Sequence, residues 1–222
     1  MVLGSMNGVL LPTASFYKAL GKDEKKMSLI SFRVLSLITF LAVIISIPTA
    51  VLVVEKFFPA YTSGIKVLIL LLATTLPFPI ISLTNFIIAA KKSLRSFLIL
   101  SLLNGGLVLL TSFLLIPRIG IMGGAISQAI VSTISSSFVL VYALKEDTFV
   151  LGKRESTLLF MIPLIAFYEV FVDPPYLDFL LLLSVILLFK TFRIITAEDM
   201  KLIDSFLPSK LKFVISLMKA IS

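Results

Sequence analysis

A chain of 222 residues with 59% hydrophobic residues, 14% charged residues and a mean hydropathy of +1.12 lies outside the range of soluble globular domains. Its net charge of +8 raises nucleic acid as a partner, but the basic residues sit in short segments between long apolar blocks, as in a membrane protein, so no nucleic-acid role is expected. With no Cys there is no disulfide and no thiolate chemistry, and with no His the commonest metal ligand is missing; no cofactor or metal is expected, and proton coupling would fall to a carboxylate.

The blocks lack the alternation of a β-barrel, and backbone groups in lipid must be satisfied within their own segment, so the blocks read as helices. The expected fold is all-α: a polytopic membrane helix bundle of about six transmembrane helices plus an amphipathic C-terminal helix. Residues 1–17 are uncharged but interrupted by Gly4, Gly8 and Pro12, and read as the end of a truncated membrane helix. No basic segment precedes them, which argues against a cleavable signal peptide. A polar loop carries Lys18, Lys22, Lys25 and Lys26.

The six-helix bundle occupies 18–195. Its first span, 28–54, has Arg33 in its first turns, expected to snorkel to the surface or meet a lipid phosphate, and Pro48 inside, expected to kink it or free a carbonyl. The second, 67–90, holds Pro77 and Pro79, which predict a broken or strongly bent helix. Spans 97–116 and 121–144 form a central hairpin. Pro117-Arg118-Ile119-Gly120 between them suits a helix break, since Pro117 lacks an N–H and Gly120 permits unusual dihedrals. The fifth span, 156–172, contains Pro163 and Glu169, and Asp173-Pro174-Pro175 makes a rigid turn. The sixth, 176–195, has a short uncharged core, with Lys190 and Arg193 placed to snorkel. The tail, 196–222, opens on Thr196-Ala197-Glu198-Asp199, a helix-start signal. It then sets Leu211, Val214, Ile215, Met218 and Ile221 on one face and Lys212, Ser216 and Lys219 on another, the pattern of a basic helix on a membrane surface.

With six crossings, all of the twenty Lys and Arg residues except Lys56, Lys66 and Arg118 fall on one side. The positive-inside rule makes that side, and the C-terminus, cytoplasmic.

Gly120, Gly124, Gln128, Ser132 and Ser136 recur every four residues, a stripe that serves either helix packing or a cavity wall. Asn85, Asn104 and Gln128 are amides within apolar spans, and Thr74, Thr75, Ser82 and Thr84 add hydroxyls beside the proline pair. Such groups are costly in lipid unless partnered, so they either bond between helices or contact a polar substrate. Asn85, Asn104, Gln128 and Thr84 are the substrate-path candidates. Glu169 is the carboxylate well inside an apolar segment; it is either interfacial or a coupling residue. No phosphate loop, nucleophile elbow or metal set is present, and no enzymatic activity is expected.

Three stretches resemble the C-terminal half of prokaryotic oligosaccharide flippases, in the superfamily that also holds multidrug-and-toxin exporters. Leu11-Pro12-Thr13-Ala14-Ser15 is similar to the family's "P-x-x-S" helix end. Ile116-Pro117-Arg118-Ile119-Gly120-Ile121-Met122-Gly123-Gly124-Ala125 resembles its "IP-x-x-G-x-x-G-A" helix junction. Phe192-Arg193, Thr196-x-Glu198-Asp199 and Leu207-Pro208-Ser209-Lys210 resemble its tail. The resemblance implies translocation of a lipid-linked oligosaccharide across the cytoplasmic membrane by alternating access between two lobes. On that template the chain corresponds to the end of the eighth helix and helices nine to fourteen, so its implied partners are membrane lipids, the lipid-linked oligosaccharide, and an N-terminal lobe or partner chain. An ion-coupled small-molecule exporter of the same fold and a non-transporting membrane scaffold are the alternatives.

Overall fold

The computed structural model describes residues 24–91, 94–171, 177–192 and 194. The helix end at 1–17, the Asp173-Pro174-Pro175 turn and the tail 196–222 lie outside the described residues. The described residues form seven α-helices and a 3₁₀ turn (Pro59–Gly64), with no strand among them. The helices are α1 (Glu24–Phe57), α2 (Ile65–Ala73), α3 (Phe78–Lys91), α4 (Leu94–Ile119), α5 (Ile121–Lys145), α6 (Lys153–Phe171) and α7 (Asp178–Thr191).

The core is built around α1, which packs against α2, α3, α6 and α7. Phe32, Leu35, Leu37, Phe40 and Ile44 are almost fully buried. Phe40 meets Phe189 of α7 edge-to-face, ring centroids 6.3 Å apart, an arrangement that suits the ring quadrupoles. At 34 residues α1 is about 51 Å long and exceeds the expected span at both ends. Pro48 does not end it. The proline forfeits one donor, to the Ile44 carbonyl, while packing along the rest of the helix holds its course.

Arg33 does not reach a surface. Its Nε lies 2.7 Å and its Nη2 2.6 Å from Glu155 Oε1 in the first turn of α6, with side-chain exposures of 13% and 3%. The expected snorkelling is therefore corrected to a buried ion pair. A carboxylate 122 positions away meets the guanidinium, and the α6 N-terminus favours negative charge there.

The proline pair in the second span breaks it as expected: α2 and α3 meet at 43°. The hydrogen bonds show how. Pro77 and Pro79 cannot donate to the Ala73 and Thr75 carbonyls, which instead take the nearer Leu76 and Phe78 N–H groups at 3.1 and 2.9 Å.

In the central hairpin the helix continues through Pro117 to Ile119 and turns at Gly120, which adopts φ +63°. A proline three residues from a helix end removes a single ladder bond, whereas a left-handed residue stops the helix outright. Gly120 N–H closes on the Ile116 carbonyl at 2.8 Å. The helices then pack so closely that a Cβ on Gly123 would stand 2.5 Å from the Leu115 carbonyl oxygen. Helix α4 touches α5 and α3, and no residue of Ser101–Ile119 is buried.

Lys25–Phe57, Ser101–Ile119 and Ile121–Lys145 are long and apolar enough to cross a membrane, and the bent pair makes a fourth if it counts as one span. Helices α6 and α7 cover most of the fifth and sixth expected spans, and over the described residues they are more charged or shorter than these. Arg154, Glu155 and Glu169 lie within the nineteen residues of α6. The described part of α7, Asp178–Thr191, extends about 21 Å of a hydrocarbon layer of roughly 30 Å.

Candidate functional site

Most hydroxyls in the apolar helices are satisfied by their own backbone. Thr74 and Thr75, beside the bend, donate to the Leu71 and Leu72 carbonyls at 2.6 and 2.7 Å, and Ser82 to Pro79 at 2.6 Å. A hydroxyl that bonds back to its own helix loses its polar cost in a low-dielectric surrounding. The proline-flanking hydroxyls therefore spend their donors locally.

The α4–α5 contact carries a cross-helix polar cluster. The Ser127 hydroxyl is buried and lies within bonding reach of both Thr111 and, at 3.0 Å, Ser112. The small-residue face of α5 is accordingly rotated from the expected stripe. Ser132 and Ser136 of that stripe are buried, but so are Gly123, Ser127 and Ser135, which lie one position earlier in the four-residue repeat. Gly124 has only Ile116 Cδ1 near it, at 3.9 Å. The sequence reading missed Ser127 because the four-residue period fits either register and the sequence carries no record of which face α4 covers.

Of the substrate-path candidates, Thr84 is half-buried on α3, Asn104 half-buried on α4, and Gln128 exposed on α5. Asn85 follows Thr84 on α3, and its side chain lies outside the described residues. Helix α3 packs against both α4 and α5, so the candidates occupy three adjoining helices. Among the described residues no hydrogen bond joins Thr84, Asn104 and Gln128.

Glu169 stands apart from them, near the end of α6. It is 5% exposed, and its Oε1 is buried without a hydrogen-bond partner. Asp178, in the first turn of α7 and equally buried, is near enough to act on it electrostatically. Asp178 was not singled out from the sequence, because it stands nine positions further on and belongs to another helix. Among the described residues no group of three or more acidic side chains could hold a metal ion.

No protein family, curated protein or solved structure matches this chain.

Proposed function

We propose that this chain is a lobe of an integral membrane transporter that translocates a lipid-linked oligosaccharide across the cytoplasmic membrane for glycan assembly, its C-terminus on the cytoplasmic side. A second lobe or partner chain completes the path. The observation that carries the reading is the amide of Gln128, left uncovered on a helix otherwise apolar enough to span lipid. An amide facing acyl chains is costly, whereas one facing a water-filled path is at home. Two further features agree with it: Asn104 and Thr84 occupy the neighbouring helices, and the 43° bend in α2–α3 is the kind of interruption that lines a path rather than meeting lipid. The role is transport, with no bond made or broken. The sequence resemblance to oligosaccharide flippases supplies the substrate class.

The test replaces Asn85, Asn104 and Gln128 singly by Leu in cells that export the glycan. Each substitution that removes a substrate hydrogen bond lowers export by about tenfold at unchanged protein level. Export unaffected by all three would leave the scaffold reading in its place. An ion-coupled exporter is favoured by one observation, the unpartnered buried oxygen of Glu169. On that reading Glu169→Gln abolishes dependence on the ion gradient.

A further inference from the structure

The start of α1 is joined at four successive points to the connection between α5 and α6 and to the first turn of α6. Lys25 pairs with Asp147. The Ser28 hydroxyl donates to the Thr148 carbonyl at 2.6 Å. Phe32 meets Phe149 edge-to-face, ring centroids 5.2 Å apart. Arg33 then pairs with Glu155. Positions 25, 28, 32 and 33 fall on one face of a helix, so the connection lies along α1 instead of looping over it.

The local backbone is shaped for this. Helix α5 ends with the Thr148 N–H on the Ala143 carbonyl and the Asp147 N–H on the Leu144 carbonyl, at 3.1 and 3.3 Å, which is the Schellman arrangement. Asp147 occupies its left-handed position at φ 56°, one that Asp tolerates better than most side chains. That turn directs Thr148 and Phe149 onto α1. At the other end Gly152 lets the chain pass the Glu155 carboxylate, since a Cβ there would stand 2.5 Å from Glu155 Oε2.

The outer pair is exposed and the rest of the row is largely buried. The Lys25 and Asp147 side chains are 42% and 73% exposed, Thr148 and Phe149 are buried, and Arg33 and Glu155 are 13% and 3% exposed. An exposed pair is weak and screened by salt; a buried pair is screened little, and breaking it strands a charge.

We propose that this row is a two-lock latch between α1 and the α5–α6 connection, with a salt-sensitive outer lock at Lys25–Asp147 and a salt-insensitive inner lock at Arg33–Glu155, opening from the outer end inward. The inference stands independently of the transport reading.

Amide hydrogen exchange of the full chain in lipid nanodiscs tests it, read over residues 146–152. Raising the salt to about 1 M speeds exchange there by roughly two- to fivefold, the loss of one exposed pair. Asp147→Asn, which keeps a side chain suited to the left-handed turn, gives the same increase at low salt and reduces the response to salt. Glu155→Gln speeds exchange by roughly a hundredfold or more at any salt, while the α2–α3 and α4 amides keep wild-type protection. The swap Arg33→Glu with Glu155→Arg recovers most of the loss. The latch is overturned if neither salt nor Asp147→Asn changes exchange in 146–152. It is equally overturned if Glu155→Gln raises exchange uniformly along the chain, the sign of general destabilisation. A Glu155 variant that does not fold leaves the salt and Asp147→Asn measurements to decide.

Discussion

Gly123 and Gly124 are neighbours in the chain and opposites in space. A methyl at Gly123 runs into the Leu115 backbone, which cannot step aside as a side chain could, whereas a methyl at Gly124 meets only the tip of Ile116 at van der Waals distance. Gly123→Ala is therefore expected to destabilise the hairpin by about 1–3 kcal/mol. Gly124→Ala, which relieves a helical glycine, should be neutral or stabilising by up to about 1 kcal/mol. Unfolding in mixed micelles measures both; equal effects would mean that the two helices are not in this contact. The Arg33–Glu155 pair is a second case at this scale. Glu155→Ala removes the carboxylate that the Arg33 guanidinium meets at 2.6–2.7 Å and is expected to cost about 1–3 kcal/mol, whereas replacing both partners by apolar residues of similar volume costs less. A double-mutant cycle on the same unfolding measurement separates the two. Neither residue announced its role in sequence. The glycines share one motif, and Arg33 reads as an interfacial cation when nothing nearby in the chain offers it a counter-charge.

Single elements were far more legible, because their causes are local. The bend between α2 and α3 follows from the missing N–H groups of Pro77 and Pro79, and the two shortened bonds that replace the regular ladder are visible in the structure. Pro77→Ala with Pro79→Ala restores both donors and should straighten the pair. Spin labels at Lys66 and Thr84 are then expected to move apart, and an unchanged distance would mean that packing against α1 and α5 imposes the bend. The hairpin was equally legible except for its turning point, since Pro117 weakens one bond but Gly120 changes the hand of the backbone. Helices α6 and α7 were legible as helices, because runs of apolar residues placed them.

At the scale of the molecule, the arrangement makes a prediction about sidedness. A bundle in which α1 and α5 each cross lipid once carries Lys56 and Lys66 on one side and Lys145 and Lys153 on the other. The chain contains no Cys, so single cysteines can be introduced without further change. Cysteine at Lys56 or Lys66 should react with an impermeant reagent on intact cells. Cysteine at Lys145 or Lys153 should react only after permeabilisation. Labelling of all four from outside would reject the membrane arrangement proposed above.

What the sequence determined by itself is the class of structure: long apolar blocks force helices, prolines interrupt them, and charges mark the segments between. These are short-range effects, complete within a few turns of one helix. Only the tertiary structure decided which face of α5 is covered, that a carboxylate oxygen of Glu169 is buried without a hydrogen-bond partner, and that Arg33 pairs with Glu155. Each of those depends on two segments meeting in space, and the energy of burying a charge or a hydroxyl is fixed by the partner it finds there rather than by its neighbours in the chain.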